Sequence, residues 1–104
     1  MDINSIFGNI LSDKENKEFY DIFKNENVRI ETIVSNGLTS QKDCWYDLDE
    51  NQFVMIIEGH AILQFEDKEV EMFKGSYLNI PKNCKHRIKY ISTDKPTIWL
   101  AVFY

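Results

Sequence analysis

Two histidines, two cysteines and one short acidic run are the side chains here best suited to chemistry, and their spacing limits what they can do. His60 directly follows Gly59 in a turn-like context, where a solvated surface residue is the usual outcome. Cys44 and Cys84 form neither a CxxC pair nor a Cys/His zinc spacing, so no structural zinc site is expected. Two thiols at one rim would make a redox pair, but thiols without an adjacent activating base are usually inert. The run Asp47-Leu48-Asp49-Glu50 lacks the alternating ligand spacing of a calcium loop and reads as a solvated loop. Gln52 is different. An amide that opens the largely apolar stretch from Gln52 to Glu58 needs a hydrogen-bond partner. Trp45, Tyr46, Phe53 and Tyr90 could line a concave site for a small planar or apolar ligand, with Gln52 and His86 orienting it. Equally, such aromatics fill small barrels because barrels need filling.

The elements that must position these residues follow from periodicity. Ser12-Asp13-Lys14-Glu15 has the form of a capping box, and Phe19, Ile22 and Phe23 recur at helical spacing. One amphipathic helix over Asp13 to Lys24 is therefore expected. Upstream, the apolar set Ile3, Ile6, Phe7, Ile10 and Leu11 fits either a short helical turn or an irregular arm. From Val28 onward the period changes to two. Val28, Ile30, Thr32 and Val34 alternate with Arg29, Glu31 and Ser35, and Asn36-Gly37 supplies a turn. Further strands are expected over Gln52 to Glu58, Ala61 to Phe65, Val70 to Met72, Tyr77 to Ile80, His86 to Tyr90 and Thr97 to Tyr104. Their short length and near-regular spacing indicate a sandwich or small barrel. The division expected is an arm and helix over 1–27 packed on a barrel over 28–104.

Bulk properties narrow the function classes. A chain of 104 residues is one domain, and 43% apolar with 28% charged residues is ordinary for a globular one. Twelve basic against seventeen acidic residues, with the basic ones scattered, argue against nucleic acid as a partner. No apolar run reaches the roughly 20 residues of a membrane helix. The start, Met1-Asp2-Ile3-Asn4, lacks the basic and apolar stretches of a secretory signal, so a reducing cytoplasm with free thiols is expected.

The stretch from Asp47 to Tyr90 resembles the cupin family. That family's second motif reads Gly, five residues, Pro-x-Gly, two residues, His, three residues, Asn. Here Gly75 is followed after five residues by Pro81, Asn83 stands for the second Gly, His86 falls on the His, and Tyr90 stands where Asn is usual. The substitution has a physical logic, because Asn is the next-best residue for a left-handed turn. The first motif is degraded. Counting back from Gly59 puts Gln52 on its Glu, and its His-x-His positions fall on Tyr46 and Leu48, or on Trp45 and Asp47. The Asp43-to-Tyr46 segment and the ending Thr97 to Tyr104 also look like a group of short bacterial single-domain cupins, most with no assigned activity.

What the resemblance implies is an all-β, small antiparallel jelly-roll barrel, here carrying the N-terminal α-helix, with His86 pointing into it. A full cupin site offers a divalent metal two or three imidazoles and a carboxylate. This chain offers His86, with Gln52 and Asp47 as weak partners, so no cofactor is expected. The leading expectation is a binder of a small, uncharged or weakly acidic ligand at the barrel mouth, on Trp45, Tyr46, Gln52, His86 and Tyr90. The alternatives are a metal-dependent isomerase or dioxygenase built on His86, and a dimeric interaction module. Lys85 and Arg87 should point outward if His86 points in, which disfavours phosphorylated sugars. Both faces of the apolar strand from Ile98 to Tyr104 need cover, and a homodimer is expected to supply part of it.

Overall fold

A computed structural model of the chain describes residues 2–8, 18–35 and 45–104. Eight strands account for the regular structure among these residues: β1 Glu18–Lys24, β2 Arg29–Ser35, β3 Gln52–Glu58, β4 His60–Phe65, β5 Glu69–Phe73, β6 Tyr77–Ile80, β7 His86–Ile91 and β8 Thr97–Phe103. All pairings are antiparallel, in a five-stranded sheet of order β1-β2-β8-β3-β6 and a three-stranded sheet of order β5-β4-β7. The sheets pack face to face and do not close into one continuous barrel. Their inner faces share one core, in which Val54, Ile56, Trp99 and Ala101 meet Ala61, Leu63, Met72 and Ile91.

The expected N-terminal helix is wrong. Glu18–Lys24 is a strand hydrogen-bonded to β2, and no helix occurs among the described residues. Residues 9–17, which hold the capping-box sequence, lie outside the described ones. The cause of the error is a bulge. Between Asp21 and Phe23 the register with β2 shifts, so the period-two pattern breaks at Ile22. Apolar residues at 19, 22 and 23 then imitate the three-and-four spacing of a helix. The β-branched and aromatic make-up of the segment fits the strand instead.

Gly59, Gly75 and Asn83 take the turn conformations that their types allow. Gly59 and Gly75 have φ of 109° and 88°, where only glycine sits without strain, and Asn83 has φ of 61°. Gly59 thereby turns β3 into β4, and Asn83 lets the chain re-enter as β7. No helix among the described residues is long and apolar enough to cross a membrane.

Strand β2 turns its more polar face inward. Arg29, Glu31 and Ile33 line the interior, whereas Thr32 and Val34 lie on the outer face beneath residues 4–8 of the arm. That cover leaves Thr32 and Val34 buried at 4% and 1% exposure, so a charged inner stripe and an apolar outer one coexist on one strand.

Candidate functional site

At the end of the sandwich where β3 begins, the two sheets enclose a cavity of about 270 Å³. Gln52 enters from the first position of β3, between Phe103 on β8 and Ile80 on β6. His86 enters from the first position of β7, opposite Phe65 on β4. A single bridge holds Tyr46 over it: the Tyr46 amide donates to the His86 carbonyl at 2.7 Å, and the reverse bond is 3.1 Å. The Tyr46 and His86 rings lie 5.6 Å apart. His86 is buried, and its Nδ1 donates to the Cys84 carbonyl at 3.0 Å, which fixes the proton on that nitrogen. Deeper in, Ile33, Val54, Leu63, Ile88 and Trp99 make the walls apolar.

Arg29 crosses the same mouth. Its Nε donates to Glu31 Oε1 at 2.8 Å, and its two terminal nitrogens donate to the Glu50 carboxylate at 3.1 and 3.0 Å. The guanidinium carbon sits 4.2 Å from the centre of the Phe103 ring, within cation–π range. Hydrogen bonding to Glu50 raises the Arg29 pKa above its ordinary value; burial acts against this, and Glu31 adds to it. Among the described residues, the mouth therefore carries the Arg29 cation and the Glu31 and Glu50 carboxylates.

Two of the residues that line the cavity, Gln52 and Trp99, each carry a buried polar atom, Gln52 Oε1 and Trp99 Nε1, with no hydrogen-bond partner among the described residues. Gln52 is 8% exposed and Trp99 4%. About nine in ten buried polar groups are partnered, so two orphans lining one apolar cavity are a departure from the rule.

Of the residues expected at the site, Tyr46, Gln52 and His86 line the cavity. Trp45 lies instead in a surface hollow with Gln64 and Lys85. Tyr90 is on the outer face of the three-stranded sheet, edge-on to the His60 ring at 5.3 Å. His60 there bonds Glu71 at 2.8 Å. Phe53 faces outward against Tyr77. Asp47 is exposed and lines no part of the cavity, although its neighbour Leu48 does. Cys84 is half-buried with a free thiol, and Cys44 lies outside the described residues. Arg87 points away as expected, with its Nε donating to Gln64 Oε1 at 2.6 Å. Sequence reasoning missed Arg29, Glu31, Trp99 and Phe103. The parity of β2 and β8 was the available signal, but it does not say which face is inside.

A family model described as "Cupin domain" matches residues 46–103, more than half of the chain. The chain is a cupin. A protein from Ralstonia eutropha JMP134, provisionally assigned as a mannose-6-phosphate isomerase, superposes with a TM-score of 0.94 at 28% identity, covering 99% of this chain and 97% of that one. A protein of Thermus thermophilus gives 0.79 at 15% identity, with 99% and 96% covered. A cupin superfamily protein of Desulfitobacterium hafniense DCB-2 gives 0.74 at 15%, with 90% and 82% covered. The last two likenesses concern the fold alone. No curated protein matches.

The cupin family implies a metal, and the donors here do not fit one. Among the described residues, no three of His, Cys, Asp or Glu are grouped to hold an ion. His86 is the sole imidazole among the described residues that line the cavity, Gln52 is a neutral donor, and Glu31 is committed to Arg29. Such a set lacks the imidazoles and carboxylate that hold a divalent ion tightly.

Proposed function

We propose that this cupin binds a small, uncharged or weakly acidic molecule with an apolar body, without a full metal site. The observation that carries the reading is one largely apolar cavity whose lining includes Gln52 and Trp99, each with a buried polar atom that has no partner among the described residues. A ligand with hydrogen-bonding groups that draws these side chains round toward the cavity gains interactions that the protein itself leaves unmade. His86, held by Cys84, orients polar groups nearer the mouth.

The Ralstonia neighbour suggests a second reading, an isomerase acting on a phosphorylated sugar. Charge opposes it here. Arg29 is already offset by Glu31 and Glu50, and Arg87 is turned out onto Gln64. A phosphate dianion would meet excess negative charge at the mouth.

The test is a metabolite screen by thermal shift, followed by indole emission. Trp99, in the cavity, is the reporter, and Trp45→Phe removes the other indole. A true ligand should lose its shift in both Gln52→Ala and His86→Ala. Binding that survives both variants rules the cavity out. One tightly held metal per chain in untagged protein, lost in His86→Ala, would support the enzyme reading instead.

We also propose a homodimer formed through the outer face of the five-stranded sheet. Leu100, Val102, Phe53 and Met55 are only half-buried there, and Tyr77 is 69% exposed. A two-fold axis sets one such patch against its equal and supplies the missing cover. Light scattering should report a dimer at micromolar concentration, and Leu100→Glu with Met55→Glu should convert it to monomer. A wild-type monomer would end this proposal.

A further inference from the structure

The Arg29 cluster sits at the cavity mouth, and its three charges are not equivalent. The Glu31 side chain is 12% exposed, whereas that of Glu50 is 40% exposed. Both terminal nitrogens of Arg29 face the carboxylate of Glu50, the fork-to-fork arrangement in which guanidinium holds a free carboxylate best. The ring of Phe103 beneath the guanidinium fixes its plane.

Glu50 belongs to no strand, yet its backbone is anchored. The Asn51 amide donates to the Tyr104 carbonyl at 3.1 Å, and the return bond is 3.0 Å. Its side chain can therefore swing into water without loosening the loop. Arg29 itself lines the cavity, and Glu50 does not. Arg29 thus borders the cavity while the carboxylate on its fork comes from a residue outside the lining.

We propose that Arg29 is a carboxylate receptor at the cavity mouth, that Glu50 is its built-in occupant, and that the ligand is a monocarboxylate with an apolar body that displaces Glu50. This rests on the small-ligand reading above and names the ligand class within it. Exchanging one monoanion for another leaves the charge around Arg29 and Glu31 unchanged. A phosphate ester would add a second negative charge beside the nearly buried Glu31, so carboxylate should be preferred over phosphate. Glu50 then acts as a competitor that sets affinity and specificity.

The probes are phenylpropionate, phenylpropanol and phenylpropyl phosphate, followed by Trp99 emission in Trp45→Phe protein at neutral pH. The quantity to follow is the ratio of acid to alcohol affinity. Removing the competitor in Glu50→Gln should raise that ratio about threefold, in keeping with an exposed ion pair. Arg29→Gln should lower it about tenfold, the scale of a charge-assisted bond. Arg29→Gln leaves Glu31 without its partner, so the double variant Arg29→Gln with Glu31→Gln repeats the measurement in a neutral mouth. The ester should bind less tightly than the acid throughout. If acid and alcohol bind but Glu50→Gln leaves their ratio unchanged, the displacement is wrong and the binding cavity stands. If none of the three binds, the proposal fails together with the binding reading.

Discussion

Gly59→Ala should be among the most damaging single substitutions in this protein, lowering stability by about 4 kcal/mol, while Gly75→Ala costs about 1–2 kcal/mol. Both glycines have positive φ, 109° and 88°, so both variants carry backbone strain. They differ in space. A Cβ at position 59 would lie 2.4 Å from Thr97 Oγ1, 2.7 Å from its Cα and 2.8 Å from its Cβ. Among the described residues, nothing lies within 4 Å of a Cβ at position 75. Thr97 cannot yield, because it is fully buried and its strand is paired on both sides, with β2 and with β3. For a domain of this size the Gly59 variant should lose on the order of 20 °C in Tm. Chemical denaturation of the two variants in parallel checks this. Equal losses would mean that the close approach of β8 to this turn is relaxed in solution, leaving φ strain as the only cost.

Those two glycines, with Pro81, Asn83 and His86, are also why the fold could be read before any coordinates. Gly59, Gly75 and Asn83 occupy positive-φ positions that few residues can take, so their identity and spacing carry geometry directly. Residues whose role depends on the second sheet were not legible in the same way. Phe19, Ile22 and Phe23 carried a helical spacing because the bulge at Ile22 broke the strand period, and nothing local marks a bulge. On β2 the alternation was visible, but an ordinary reading puts Ile30, Thr32 and Val34 inside and Arg29 and Glu31 in water. The chain does the reverse. The arm covers the apolar face, and the charges pair with each other at the cavity mouth. Tyr46, Gln52 and His86 were found from motif positions, whereas Trp45 and Tyr90, drawn from the same motif segments, have their side chains on other surfaces. Adjacency in sequence does not decide which face of a strand a residue occupies.

Gln52→Leu should make the protein more stable and remove its ligand binding at the same time. The side chain is 8% exposed, its amide oxygen has no partner among the described residues, and its neighbours across the sheet are Phe103 and Ile80. A buried amide oxygen without a hydrogen bond costs about 1–3 kcal/mol relative to water. Leucine is close in size, removes that penalty and adds apolar contact, so no cavity term offsets the gain. A net gain of about 1 kcal/mol, or roughly 4–8 °C in Tm, is expected. Gln52→Ala removes the same oxygen but empties volume, and should be less stable than Gln52→Leu. A site kept polar at a cost to folding is one whose polarity serves a bound molecule, since selection for stability alone would have replaced it. Thermal unfolding of the two variants, with and without a ligand from the screen, separates the cases. Loss of stability in Gln52→Leu would show that the amide has a structural partner in solution, and the chief support for a binding cavity would fall. A gain in stability with the ligand shift retained would leave the cavity in place and move its polar contact to Trp99 or His86.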